Sequence, residues 1–123
     1  MKIILDTHIF LWALSEPERL TPEQKTAIET RANLIYISSI SIAEIAIKSS
    51  LNKLDFPFDP VESAEKSGFE LLDFSAGDAL TLKELPYHHR DSFDRMLIAQ
   101  SISRNYRIMS SDSKFGMYQC KLI

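Results

Sequence analysis

The sequence predicts an α/β fold in which helices cover both faces of a mainly parallel sheet. Short β-rich apolar runs recur at Ile3-Ile4-Leu5, Leu34-Ile35-Tyr36-Ile37, Phe69 to Phe74 and Arg107 to Ser110, with helical patterning between them. Alternation of this kind selects a parallel sheet buried on both sides. Four acidic residues, Asp6, Glu44, Asp94 and Asp112, fall where such a chain gathers its strand ends. That is the edge at which open parallel sheets bind ligands.

Each element has its own signal. Residues 2–5 read as the first strand, and Thr7 to Leu14 as a short apolar helix closed by Ser15-Glu16-Pro17. Thr21-Pro22-Glu23-Gln24 opens the next helix: Thr as N-cap, Pro at the first helical position and Gln at the third satisfy orphan donors of the first turn. That helix is expected to run to about Ala32. After the strand at 34–37 a helix is expected from about Ser41 to Leu51, then a loop from Asn52 to Pro60. A helix over Val61 to Lys66, a strand over Phe69 to Phe74 and a helix from Ser75 to near Leu85 follow. Pro86-Tyr87-His88-His89-Arg90 reads as an exposed connection to a long helix, Asp91 to Asn105. The strand at 107–110 and a short final strand within 119–123 complete the chain. No repeat, low-complexity segment or interdomain linker interrupts it, so the expectation is one domain over residues 1–123.

Composition narrows the function. A chain of 123 residues, 45% hydrophobic and 25% charged, has the makings of a real core. Its longest strictly apolar run, Ile9 to Leu14, is far short of the roughly 20 residues needed to cross a bilayer. No signal-peptide pattern opens the chain, which makes the cytoplasm the expected location. Cys120 is the only cysteine, excluding an intramolecular disulfide and a cysteine-rich zinc site. A net charge of −3 argues against a purely electrostatic nucleic-acid binder. It argues less against a metal nuclease, because two divalent cations, four positive charges, would bring −3 to +1. Arg90, Arg95 and Lys48 stand near the acids in sequence and are expected to meet phosphates locally.

The acids point to chemistry as a set. Asp6 and Asp112 each follow a strand, while Glu44 and Asp94 interrupt apolar helical faces, the first beside Ile40 and Ile47, the second beside Leu97 and Ile98. Two carboxylates about 4 Å apart repel by roughly 4 kcal/mol at an effective dielectric near 20, so a cluster takes up protons or admits cations. Magnesium or manganese resolves the conflict, since both take oxygen ligands and bind phosphate oxygens in the same sphere.

Taken singly, most of the acids also have a structural explanation. Asp6 and Asp112 suit helix or turn caps, worth about 1 kcal/mol each. Ser41-Ile42-Ala43-Glu44 fits a capping box, and Asp91 suits an N-cap paired with Arg95. Asp94 has no such partner beyond Arg90. Among the histidines, His8 follows Asp6 closely enough to line a site, and His88 and His89 suit RNA or partner contact better than proton transfer. Phe10, Leu11, Trp12 and Leu14 form an apolar surface read as core, part of it available to a partner. An aspartyl-nucleophile phosphatase is disfavoured because His8 occupies the place of its second Asp.

The segments Ile3-Ile4-Leu5-Asp6-Thr7, Ile40 to Ile45, His89 to Gln100 and Met109-Ser110-Ser111-Asp112, in that order, resemble PIN-domain proteins of the VapC toxin type. The resemblance spans essentially the whole chain and is most specific around Asp94. Ser110 and Ser92 depart from a frequent Thr and Pro without removing an acid. It implies a three-layer α/β/α sandwich and an Mg²⁺- or Mn²⁺-dependent endoribonuclease that hydrolyses RNA with a metal-activated water. Asp6, Glu44, Asp94 and Asp112 would be its catalytic and metal-binding residues. It implies a VapB-type antitoxin as partner and a homodimer. The alternative is a PIN-like module that binds RNA or antitoxin without turnover.

Overall fold

The computed structural model describes residues 1–123. Five parallel strands form one sheet in the order β3-β2-β1-β4-β5: β1 Lys2–Leu5, β2 Leu34–Ser38, β3 Glu70–Leu72, β4 Arg107–Met109 and β5 Lys121–Leu122. Helices α1 Thr7–Ser15, α2 Pro22–Glu29, α3 Ser39–Ser50, α4 Pro60–Lys66, α5 Ala76–Thr81 and α6 Ser92–Arg104 connect them. The fold is the expected α/β sandwich.

Strand periodicity explains the two cores. On β1 the side chains of Ile3 and Leu5 join Ile35, Ile37 and Met109 on one face, packed with Ile9 and Phe10 of α1, Ile45 of α3 and Ala64 of α4. Ile4, between them, points the other way and joins Ile108, Leu97 and Ile98 of α6, Phe115 and Tyr118. All three β1 residues are fully buried, as a central strand covered on both faces requires.

Capping chemistry fixes several boundaries. Thr21 and Gln24 form the expected capping box at the start of α2. Ser38 caps α3 through the Ile40 amide, so the helix starts two residues earlier than Ser41. α6 ends at Asn105, whose left-handed φ of 57° stops the helix. The helix expected over Ser75 to Leu85 divides into α5 and a 3-10 turn at Leu82–Glu84, and further 3-10 turns occupy Pro17–Arg19 and Ser113–Met117. No helix is long and apolar enough to cross a membrane.

Register places the site. Leu5 pairs with Ile37 on one side and Met109 on the other, so Asp6 and Ser110 leave the sheet along one edge beside Ser38, the last residue of β2. The Asp6 amide still donates to the Met109 carbonyl at 3.0 Å, holding that corner in place.

Candidate metal centre

Each acid reaches the site by a local device. Asp6 is the N-cap of α1, its Oδ1 accepting from the Ile9 amide at 2.8 Å. Asp112 caps the 3-10 turn at Ser113–Met117 through the Lys114 amide at 2.9 Å, while its own amide donates to the Ser110 hydroxyl at 3.0 Å. Asp94 stands in the first turn of α6, its amide donating to Asp91 Oδ1 at 2.9 Å. Glu44 lies in the second turn of α3 with a residual exposure of 2%. A hydrogen bond of 2.9 Å from Thr7 Oγ1 to Ser41 Oγ ties the starts of α1 and α3 together.

The geometry brings Asp94 and Asp112 together on His89, with Asp6 and Glu44 outside that trio but near enough for their charges to act on Asp94. His89 Nε2 sits 2.9 Å from Asp94 Oδ2 and 3.2 Å from Asp112 Oδ2, and the three ligand-type atoms lie within 4.8 Å of one another. Burial pushes the Asp94 carboxyl up to about 7, and the charges of Asp91, Asp6 and Glu44 add to the rise against the opposing effect of His89. Asp6 is also raised, chiefly by burial, with hydrogen bonds from Ser110 and Ile9 opposing. Asp6 and Asp112 share the wall of a groove of about 440 Å³ with His8, Trp12, Arg19 and Ser111. A larger cavity, about 560 Å³, lies between Met1, Asn33, Arg107 and Ile123 at the opposite edge of the sheet and contains none of these acids.

Several local expectations change. Glu44 forms no capping box with Ser41, because the helix begins at Ser39 and Glu44 is too deep within it. Its Oε2 instead accepts from Lys48 Nζ at 2.6 Å, which raises the lysine above its ordinary range. Lys48 therefore serves an acid, not a phosphate. Ile47, expected on Glu44's buried side, is 47% exposed; Ser41 and Ile45 are its buried companions. Arg95 neither pairs with Asp91 nor faces the site: its guanidinium donates to the Pro86 carbonyl at 3.0 Å and lies 4.5 Å from the Tyr87 ring centre. Arg90 is exposed, and so is His8, which does line the groove beside Asp6.

His89 is the residue that sequence reasoning misplaced. Expected in an exposed connection, it is buried, held by its amide to the Tyr118 hydroxyl at 2.8 Å and edge-on to Phe115. Its Nδ1 accepts from the Asp91 amide at 3.4 Å. That bond assigns the ring proton to Nε2, the atom facing Asp94 and Asp112. The available signal was an imidazole five positions before Asp94, joined to the helix by the capping Asp91. Tyr118, which completes its anchorage, comes from the far end of the chain.

Oxygen-rich donors of this kind fit a hard divalent cation. Glu44 Oε1 adds a specific observation: it is buried and has no hydrogen-bond partner. An acceptor left in that state is costly unless a cation or proton meets it.

The PIN domain model matches residues 3–119 of this sequence. The chain belongs to the PIN domain family. A search of curated proteins finds no match in sequence. Among solved structures, the PIN-domain chain is similar to one in VapBC2 from Rickettsia felis, crystallised with a DNA fragment from its promoter: TM-score 0.76, 21% identity, covering 100% of this chain and 98% of that one. A chain of DNA-bound VapBC from Salmonella typhimurium gives 0.69 at 16% identity, with 100% and 97% covered. One from VapBC-5 of Mycobacterium tuberculosis gives 0.59 at 17%, with 99% and 95% covered. At these identities the likeness is one of fold.

Proposed function

We propose that this PIN domain is a metal-dependent endoribonuclease and the toxin of a toxin–antitoxin pair. The observation that carries the reading is the convergence of Asp6, Glu44, Asp94 and Asp112 from distant parts of the chain onto one sheet edge, with Asp94 raised to about 7 and Glu44 Oε1 buried without a partner. PIN domains are generally nucleases, and the similar folds above come from VapBC complexes, which supports a VapB-type antitoxin as partner. A homodimer is the assembly we propose.

Asp6, Glu44, Asp94 and Asp112 would hold Mg²⁺ or Mn²⁺. The cation, when bound, would polarise the phosphodiester, lower the pKa of a bound water and balance charge developing on the leaving oxygen. The protein's own groups set up that chemistry. Asp6 and Asp112 are fixed by the amides they cap, and Asp94 and Asp112 are spanned by the His89 Nε2–H. Lys48 holds one Glu44 oxygen and leaves the other buried and unpaired. No side chain here is arranged as a nucleophile with an adjacent base, consistent with water as the attacking group.

The test is cleavage of a mixed RNA pool containing tRNA by antitoxin-free protein with Mg²⁺, Mn²⁺ or EDTA. Discrete cuts that require metal support the enzyme; binding without cuts would instead indicate an RNA- or antitoxin-binding module.

A further inference from the structure

The groove beside the acids offers more than metal ligands. Asp6 and Asp112 line it together with His8, Trp12, Arg19 and Ser111. Its volume of about 440 Å³ lies within the range of about 300–1,000 Å³ typical of small-ligand pockets, so it has room for a nucleotide but not a duplex. Trp12 packs its inner side on the core that contains Phe10 and Leu5 while its rim remains accessible. His8, one helical turn earlier, lies 6.3 Å from it with the rings tilted by 49°. The Arg19 guanidinium stands 4.6 Å from the centre of the indole. Its one anionic partner, Glu16 at 3.3 Å, is an exposed surface pairing, weak and readily exchanged.

These groups supply what the rest of the site lacks. Lys48 is paired with Glu44, and Arg95 is bound to the connection before α6. Arg19 is thus a groove-lining cation beside Asp6 and Asp112 that can accept a phosphate. The exposed His8 imidazole beside it offers a π face and Trp12 an accessible rim, and aromatic surfaces of this kind are what single-stranded nucleic acid uses irrespective of base.

Resting on the ribonuclease reading, we propose that this groove is a subsite for the nucleotide adjoining the scissile phosphate. Arg19 pairs with that nucleotide's phosphate, and its base stacks on the His8 ring against the accessible rim of Trp12. The guanidinium is already held over the indole, 4.6 Å from its centre, so little side-chain freedom is lost on binding.

Trp12 is the only tryptophan, which makes its fluorescence a direct report on the groove. The experiment titrates short mixed-sequence single-stranded RNA oligonucleotides into the full chain bearing Asp94→Asn, alone and with Arg19→Ala or His8→Ala. Both added substitutions are at exposed positions, and circular dichroism verifies the fold. Saturable quenching of Trp12 is expected, with affinity weakened about tenfold by either substitution, as loss of one phosphate contact or one stacked base implies. Arg19→Ala should also make the salt dependence of binding shallower by about one unit of slope, and Arg19→Lys should restore it. In the chain with Asp94 intact, both substitutions should raise KM more than they lower kcat. Metal-dependent cleavage with unchanged KM and unquenched Trp12 would overturn the subsite and leave the nuclease standing. RNA neither bound nor cut would overturn both.

Discussion

Helix α6 meets a shielded carboxylate at each of its two ends, and the two have opposite electrostatics. Near its C-terminus, Asp78 of α5 is fully buried and fully matched. Arg104 Nε meets Oδ1 at 3.0 Å, Arg104 Nη2 meets Oδ2 at 3.1 Å, and the Ser75 amide donates to Oδ2 at 2.9 Å. Burial pushes Asp78 up, but Arg104 and Ser75 outweigh it and bring the carboxyl down to about 2. At the N-terminus, Asp94 is partly buried near other acids with His89 as its side-chain partner, and stands near 7. A carboxylate at a helix N-terminus is ordinarily favoured by the dipole, so its neighbours must outweigh that benefit. A carboxylate answered by a permanent cation joins two helices; one answered by other carboxylates is left for something that the chain itself does not provide.

Substitution should separate the two ends. The largest effect is expected on activity: Asp94→Asn should reduce RNA cleavage by more than about 100-fold while the melting temperature stays level or rises, because it removes charge from a repelling cluster. Cleavage at the parent rate would remove Asp94 from the site. Arg104→Ala should do the reverse, costing about 3 kcal/mol in denaturant unfolding by leaving Asp78 buried and unpaired. The Arg104 side chain is 31% exposed, which puts the estimate at the low end for such pairs. Normal cleavage per folded molecule is expected, and a specific loss of turnover would mean that the two ends of α6 are coupled.

His89 gives the next largest effect. If its Nε2–H sets the spacing of Asp94 and Asp112, His89→Ala should weaken Mn²⁺ binding by about 10–100-fold in calorimetric titration, as loss of an orienting partner does. Unchanged affinity would reduce the ring to packing against Phe115.

The contrast extends to pH, with opposite signs. Asp94 is raised in the folded chain from 3.8 to about 7, so between those values the native state holds more protons than the unfolded state. The metal-free protein should therefore lose stability as pH rises through that window. Asp78 is lowered from 3.8 to about 2, so its contribution is present above about 4 and lost as pH falls toward 2. A metal-free melting profile should show a maximum near the ordinary carboxylate value of 3.8, and saturating Mg²⁺ should flatten the fall on its alkaline side. A metal-free profile that rises steadily from pH 4 to 7 would contradict the state assigned to Asp94.

The sheet was legible because β1, β2 and β4 are short apolar runs ending at polar residues, and helix-opening signals such as Thr21 to Gln24 are local. The four candidate acids stood out in the sequence because strand ends and interrupted apolar faces are periodic features, and the structure brings two of them, Asp94 and Asp112, onto one imidazole. What stayed hidden depends on distant partners. The burial of His89 requires Tyr118 and Phe115, nearly 30 residues on. Arg95 leaves Asp91 because Pro86 and Tyr87 fold back to meet it, which helical spacing cannot reveal. At Glu44 the capping-box pattern was present, but Ser38 caps the helix first. The Arg19–Trp12 stack depends on the path of the 3-10 turn at Pro17–Arg19, a geometry with no periodic signal.

Asp6 joins the structural and functional uses of a carboxylate in one side chain, and its two simplest substitutions should separate them by the smallest margin. One oxygen accepts the Ile9 amide and caps α1, while the charge contributes to the rise of Asp94. Asparagine is as good an N-cap as aspartate, so Asp6→Asn should keep the cap, remove the charge and abolish cleavage without loss of stability. Asp6→Ala removes both and should cost about 1 kcal/mol more than Asp6→Asn in unfolding, with the same loss of cleavage. Comparing the two by urea denaturation isolates the cap from the charge. Equal stabilities would mean that relief of repulsion and loss of the cap do not combine independently at Asp6, and that the acid cluster tightens or loosens as a unit with the start of α1.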